Sequence, residues 1–286
     1  MFGGIAYPNP QTTSDNKFIP LNETWEWTAA DGWSQKHPHT NPTGRYVPQM
    51  AYDAALRVVV MFGGATDIGP GLGCGETGPS VICFQDTWAW DGVDWTQLHP
   101  AQFPGPWGTM AYDDATNSLL YYNGDTWSWS ATNWVRLAQY KDPGPIPTQS
   151  LMSYDPATRA LVLFGGISLS GGDRTLMWRW DGRSWSALAV HAPRLAPAPQ
   201  ASVARDPKGQ VLIGFQANTP NGTGGIFPSQ TWQWDGTSWT QLSPTHQPTS
   251  GLLQLFTDPI GARLLLVGQD DFQVWAWASG DWTHLT

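Results

Sequence analysis

Residues 87–95 read TWAWDGVDW, and this pattern of tryptophans recurs six times along the chain. In each copy a Trp-x-Trp pair is followed five or six residues later by a third Trp. The intervening Asp91-Gly92 is a favoured hairpin turn, so each copy predicts two antiparallel strands. Tryptophans at positions i and i+2 of a strand point to one face, which has to be buried against a neighbouring sheet. Six such sheets predict the ring of a β-propeller.

The repeat accounts for eighteen of the nineteen tryptophans, and only Trp107 lies outside it. The pairs are Trp25/Trp27, Trp88/Trp90, Trp127/Trp129, Trp178/Trp180, Trp232/Trp234 and Trp275/Trp277. The third members are Trp33, Trp95, Trp134, Trp185, Trp239 and Trp282.

A second regular pattern precedes each pair after the first. A short strand ends in an acidic turn, as in Met50-Ala51-Tyr52-Asp53, and an apolar run follows that closes on two glycines, as in Val58 to Gly64. The turn acid recurs at Asp113, Asp155, Asp206 and Asp258, where it favours a tight turn. With this order of strands, turns and glycines, nearly the whole chain resembles the Kelch repeat family, whose period is about 50 residues.

The resemblance implies an all-β fold, a six-bladed Kelch-like β-propeller with an incomplete first blade, in a single domain over residues 1–286. The expected blades are residues 1–36, 45–98, 107–137, 147–188, 199–242 and 251–286. The first unit opens with Met1-Phe2-Gly3-Gly4, which reads like the end of an apolar strand, so its inner strands are missing. Either the sequence begins inside a repeat, or the ring is closed by a thinned blade or by a neighbouring chain. We therefore expect a monomer, or a dimer through the first blade.

Composition narrows the partners and the compartment. The net charge of −9 argues against nucleic acid, and no apolar run reaches the length of a membrane span. Cys74 and Cys83 lie in one Gly-rich insertion, where a local disulfide is favoured over two free thiols. A disulfide predicts an extracellular or periplasmic protein, although no signal peptide is visible. A sequence truncated at its N-terminus would explain that absence.

The candidate catalytic residues are four histidines in loops between blades. These loops are expected at the channel mouth, at the end opposite the acidic turns, and variable loops on a rigid scaffold usually carry binding functions. The four are His37, His99, His191 and His246. His37 and His99 share one offset after the hairpin Trp, so they are expected to be neighbours that hold a divalent metal. The alternative is that they are ordinary loop residues facing water.

Further residues are expected to bind ligand at the same end. Two loops carry the acids Asp67, Glu76, Asp270 and Asp271, which would complete a ligand set or act as a general base. Trp107 is either a packing residue or a stacking platform for a sugar or aromatic ligand. The Kelch pattern often starts the innermost strand with an Arg, and Arg45 is the position that matches, which implies a ligand-binding role.

Two functions stay open. The first is a hydrolase of activated esters, lactones or phosphoesters, because such a reaction needs only a polarising group and a base. The second is a non-catalytic propeller that binds a glycan or a protein. The Kelch family includes binding modules and enzymes alike, and its enzymes include a copper oxidase and a sialic acid epimerase, but no catalytic motif of theirs matches here. Bound metal and a buried pocket would favour the hydrolase, whereas an aromatic patch around Trp107 would favour the binding protein.

Overall fold

The computed structural model describes residues 1–6, 19–66, 82–138, 150–165, 176–193, 201–208, 211–216, 219–220, 226–227, 229–249, 253–258, 261–268 and 272–285. Every regular element within these ranges is a β-strand. The chain forms two compact units, Met1–Tyr112 with Ser118–Leu137, and Asp113–Asn117 with Ala138–Thr286. The all-β expectation is therefore confirmed, while the single domain over residues 1–286 and its blade limits stay predictions.

In the first unit, two four-stranded antiparallel sheets follow a two-stranded hairpin. The strands are β1 (Ile5–Ala6), β2 (Ile19–Pro20), β3 (Thr24–Thr28), β4 (Gly32–Lys36), β5 (Gln49–Asp53), β6 (Val58–Phe62), β7 (Thr87–Trp90), β8 (Trp95–Leu98), β9 (Thr109–Asp113), β10 (Ser118–Tyr122), β11 (Thr126–Trp129) and β12 (Trp134–Ala138). The hairpin is β3–β4, and the two sheets run β5-β6-β7-β8 and β9-β10-β11-β12. Strands β1 and β2 pair separately.

The second unit contains three more four-stranded sheets of the same kind. Its strands are β13 (Ser150–Asp155), β14 (Ala160–Gly165), β15 (Leu176–Trp180), β16 (Trp185–His191), β17 (Ala201–Asp206), β18 (Val211–Gln216), β19 (Thr219–Pro220), β20 (Ile226–Phe227), β21 (Gln230–Trp234), β22 (Trp239–Leu242), β23 (Leu253–Asp258), β24 (Arg263–Gly268), β25 (Val274–Ala278) and β26 (Asp281–His284). The sheets run β13-β14-β15-β16, β17-β18-β21-β22 and β23-β24-β25-β26, with β19–β20 as a separate ribbon.

The turns form as the sequence predicts. Trp90 lies opposite Trp95 across the β7–β8 hairpin, and Asp91 Oδ1 accepts the backbone N–H groups of Val93 and Asp94 in the turn. Each first-strand acid closes its own turn in the same way: Asp53 accepts from Ala55 N at 3.0 Å. Equivalent bonds join Asp113 to Ala115, Asp155 to Ala157, Asp206 to Lys208 and Asp258 to Gly261.

The core lies between consecutive sheets. One cluster joins Val60 and Phe62 of β6 to Leu119, Tyr121 and Trp134 of the next sheet. In the second unit, Ile213 and Phe215 of β18 pack in the same way with strands of the following sheet. This is the face-to-face burial that the same-face tryptophans predict, because a sheet with one apolar face is stable only against another apolar layer.

A hydrogen bond of one kind links three of the sheets to the hairpin or sheet before them. The indole N–H of Trp95 donates to Thr24 Oγ1 at 2.9 Å, and that of Trp134 donates to Thr87 Oγ1 at 3.0 Å. In the second unit Trp282 donates to Thr231 Oγ1 at 3.0 Å. The acceptor always stands just before the Trp-x-Trp pair of the preceding repeat.

The first repeat is shorter than the others, as expected. Among the described residues of this repeat, Phe2 extends the hairpin β3–β4 through an isolated bridge with Thr24. Thr24 nevertheless occupies the acceptor position found in the later repeats. The described residues thus contain five four-stranded sheets and one incomplete hairpin, and the count of six blades stays a prediction.

Candidate functional site

Arg45 is buried and structural, which does not fit the predicted ligand-binding role. Its side chain is 0% exposed, and its Nη1 and Nη2 donate to the two carboxylate oxygens of Asp86 at 2.5 and 2.9 Å. Further bonds run to the carbonyl oxygens of Thr43 and Gly63, and the guanidinium lies 3.9 Å from the ring centroid of Phe84. With these partners in place, Arg45 has no free face for a ligand.

Asp86 carries the negative charge that pairs with Arg45. Burial alone would raise the pKa of its carboxyl, but hydrogen bonds from Arg45 and from the Trp88 indole outweigh burial and hold the pKa below its usual range. Glu23 accepts from Trp25 Nε1 at 2.8 Å in the same register. Asp86 and Glu23 therefore each fix the indole of the Trp two residues later.

The predicted catalytic histidines are exposed and do not form a described cluster. His37, His99, His191 and His246 are all exposed at the surface. His191 is the last residue of strand β16, opposite Leu176, rather than a residue of a connecting loop. Among the residues that the structure describes, no group of three or more His, Cys, Asp or Glu side chains is placed to hold a metal. A metal at His37 and His99 stays a prediction without a described third ligand.

The loops that carry these histidines dock on the hairpin of the next sheet. The backbone N–H of Thr40 donates to Asp94 Oδ1 at 2.9 Å, and that of Gln102 donates to Asn133 Oδ1 at 3.0 Å. Each donor stands three residues after a predicted site histidine, and each acceptor directly precedes a hairpin Trp. Both loops are therefore fixed at one point by the hairpin of the following sheet.

His246 makes the equivalent contact with its own side chain as well. Its backbone N–H donates to Asp281 Oδ1 at 2.9 Å, and its ring Nδ1 lies 2.8 Å from Asp281 Oδ2. These hydrogen bonds, first that from the backbone of His246, lower the pKa of Asp281 below its usual range. An ionised Asp that orients an imidazole through Nδ1 leaves Nε2 available as a base.

Trp107 combines three unusual features. Its backbone is left-handed, with φ of 64°, and its ring is half-buried. Its indole N–H is buried with no hydrogen-bond acceptor among the described residues, a condition it shares with the repeat tryptophans Trp127 and Trp129. Left-handed backbone is costly for a large side chain and persists only where surrounding contacts impose it.

The contacts that impose it come from strand β10 and the residue after it. Tyr121 Oη accepts the N–H of Gly108 at 2.7 Å and donates to the carbonyl of Gly105 at 3.1 Å. Asn123 Nδ2 donates to the same carbonyl at 3.0 Å. Burial raises the pKa of Tyr121 well above its usual value, so its hydroxyl keeps the proton that it donates. Neither Tyr121 nor Asn123 is among the site residues expected from the sequence. Asn123 does carry a signal, because it follows strand β10 at the position where Gly63 follows strand β6.

Other predicted site residues lie outside the described residues. These are Asp67, Glu76, Asp270, Asp271 and Cys74. Cys83 forms an isolated bridge with Ala65, and no free cysteine occurs among the described residues. Because Cys74 is not described, the Cys74–Cys83 disulfide stays a prediction. The described residues contain no helix long and apolar enough to cross a membrane.

The repeated four-stranded antiparallel sheets define a protein of the all-β propeller class. Among solved structures the chain is similar to the one titled "Structure of YjhT", with a TM-score of 0.61 over 92% of this chain and 91% of that one. The two sequences are 11% identical, so the likeness concerns the fold alone. No protein-family model matches the sequence, and no curated protein matches it.

Proposed function

We propose that this protein is a Kelch-like six-bladed propeller that binds a small-molecule or glycan ligand through the segment His99–Gly108. Trp107 is the aromatic contact of that site. The observation that carries the proposal is the strained backbone of Trp107, together with its half-buried ring and its position outside the tryptophan repeat. Strain of this kind costs on the order of 1–3 kcal/mol and concentrates at ligand sites.

The chemistry of the segment fits a ligand with both apolar and polar faces. Phe103, four residues before Trp107, is 44% exposed, and His99 is exposed at the start of the segment. An indole face stacks on the apolar face of a sugar ring or on an aromatic ring, while imidazole supplies a hydrogen bond. Tyr121 and Asn123 hold the Gly105 carbonyl and so keep the Trp107 backbone in one conformation before ligand arrives.

Replacing Trp107 by Ala should weaken ligand binding by about tenfold or more, because the apolar contact of one large side chain is lost. A glycan and metabolite panel, followed by calorimetric titration of the ligands that bind, measures the effect. Tyr52→Ala is the matched control, since it removes an aromatic side chain that is 47% exposed on another segment. Unchanged affinity in Trp107→Ala, or no ligand for the wild type in the panel, would contradict the proposal.

A second candidate function is hydrolysis of an activated ester, lactone or phosphoester. The pairing of His246 with Asp281 supports it, because an Asp-oriented imidazole is the base of many hydrolases. Metal assistance by His37 and His99 belongs to this candidate. An extracellular or periplasmic location with a Cys74–Cys83 disulfide is proposed for either function, as is a monomer or a dimer through the first blade.

If the second candidate holds, His246→Ala should lower turnover of the best substrate by about 100-fold or more, the contribution expected from a general base. The assay is a panel of activated esters, lactones and phosphoesters with and without chelator, alongside elemental analysis of the protein. His99→Ala tests whether His99, which lies in a different loop from His246, takes part in turnover. Substitutions in exposed loops alter the free energy of unfolding by only about 0.5 kcal/mol, so a loss of turnover would not come from unfolding. Turnover that His246→Ala leaves unchanged would remove the His–Asp pair from the reaction.

A further inference from the structure

A cleft in the second unit lies at the end that carries the acidic turns. One wall is the turn Asp113–Asn117, and the rest is formed by residues of the β13–β16 sheet, including Arg159, Arg179 and Asp181. The acids of this end recur with the repeat and form tight turns. The pair of arginines does not recur in that way.

The carboxylates of the cleft are already occupied by their own turns. Asp113 accepts the N–H of Ala115 through Oδ1 and the hydroxyl of Thr116 through Oδ2. Asp181 accepts the backbone N–H groups of Arg183 and Ser184 at 2.8 and 2.7 Å. The bond from Ser184 is the main reason that the pKa of Asp181 lies below its usual range, so the carboxylate stays ionised.

In the part of the chain that the structure describes, the two arginines lack a carboxylate partner, although Arg159 hydrogen-bonds the side chain of Tyr154. Within the described residues neither Arg159 nor Arg179 forms an ion pair, whereas Arg205 pairs with Asp114 and Arg263 with Asp258. Arg179 Nη2 donates to the Thr158 carbonyl at 3.3 Å, which holds its guanidinium against the turn that ends at Arg159. Its Nε is buried with no acceptor in the described part of the chain. A buried guanidinium N–H without an acceptor is costly to keep in a cleft.

Other repeats do not place two arginines at these positions. Arg159 ends the turn after the first strand, and Arg179 separates the two tryptophans of the third strand. The corresponding residue pairs elsewhere are Arg57 with Ala89, Asn117 with Ser128, Gln210 with Gln233, and Ala262 with Ala276. A residue that the fold required would recur in every repeat. The arginine pair occurs in one repeat, so the fold does not explain it.

We infer that this cleft binds a compact oxyanion, a carboxylate or phosphate group, between Arg159 and Arg179. Guanidinium groups match the planar spacing of such oxygens, and charge-assisted hydrogen bonds are the strong ones. The ligand oxygens accept hydrogen bonds from the guanidinium N–H groups, because the carboxylates of Asp113 and Asp181 already accept hydrogen bonds within their own turns. The site is separate from the segment around Trp107 and does not depend on the function proposed for it.

Calorimetric titration with inorganic phosphate and, separately, with succinate tests the inference at low chloride concentration. The wild type should bind at least one of the two anions. Arg159→Gln and Arg179→Gln should each weaken that binding by about tenfold or more, since each removes charge-assisted hydrogen bonds. Arg57→Gln is the matched control, because Arg57 ends the equivalent turn of a repeat that has Ala89 in place of a second arginine. It should bind as the wild type does.

The two anions distinguish a phosphate site from a carboxylate site. Binding of phosphate alone assigns the site to phosphate groups, and binding of succinate alone assigns it to carboxylates. If Arg179→Gln disturbs the fold, as judged by near-ultraviolet circular dichroism, the exposed Arg159→Gln variant decides. Absence of binding by the wild type, or equal affinity in the double variant Arg159→Gln/Arg179→Gln, would overturn the inference.

Discussion

Replacing Arg45 by Met is expected to destabilise the protein by about 3 kcal/mol at pH 7. The change leaves Asp86 without the bidentate partner that lies at 2.5 and 2.9 Å, and it leaves the Gly63 carbonyl without its donor. The value is placed at the lower end for a broken buried pair, because the Asp86 side chain is 21% exposed. Equilibrium unfolding in urea measures the loss.

The penalty should shrink in acid. The pKa of Asp86 lies below its ordinary value of 3.8 in the folded protein, so its stabilising contribution is present above that value. The contribution is lost as the pH falls through the lower pKa of the folded state, which narrows the gap between wild type and variant. Arg136→Met is the control, because the Arg136 side chain is 40% exposed, whereas that of Arg45 is 0% exposed, and exposed pairs contribute about 0–1 kcal/mol. A loss no larger than in this control would refute the structural role of Arg45.

Replacing Trp134 by Ala is expected to cost about 3–5 kcal/mol, the range for removing a fully buried aromatic side chain. Trp134 is 0% exposed, and its ring centroid lies 5.2 Å from that of Trp129 and 5.6 Å from that of Phe62. Its N–H is also the donor to Thr87 in the link between two sheets. Thermal and urea unfolding report the change.

Two comparisons refine this second result. Trp134→Phe keeps an aromatic ring in the core but leaves Thr87 Oγ1 without its donor, so it should cost less than the Ala variant. Trp185 occupies the same repeat position but is only half-buried, so Trp185→Ala should also cost less than Trp134→Ala. Equal losses at Trp134 and Trp185 would show that repeat position, rather than burial, sets the stability.

Much of the fold could be predicted because its signals are local. Hairpins follow from Trp-x-Trp strands joined by Asp-Gly turns, and Trp90 does lie opposite Trp95. Tight turns follow from Asp53 and its equivalents, whose carboxylates accept backbone N–H groups two residues later. These interactions span only a few residues, so the local sequence pattern determines the local structure.

The site could be predicted only in part. Trp107 stood out because it breaks the repeat, and the structure finds its backbone strained. Arg45 stood out because it matches the Kelch pattern, yet it is buried against Asp86, a residue 41 positions away. Sequence alone does not show whether an arginine is buried or exposed, because that depends on which distant acid meets it.

What the sequence determined by itself is the repeated antiparallel sheet and the face on which each sheet buries its tryptophans. Period-two alternation and turn chemistry decide both before any long-range contact forms. Only the tertiary structure decided which polar groups meet across sheets. It paired His246 with Asp281, held the backbone beside Trp107 through Tyr121, and left Arg159 and Arg179 without carboxylate partners among the described residues. Such pairings depend on the twist and approach of whole sheets, because a charge or hydrogen bond counts only at distances of a few ångströms.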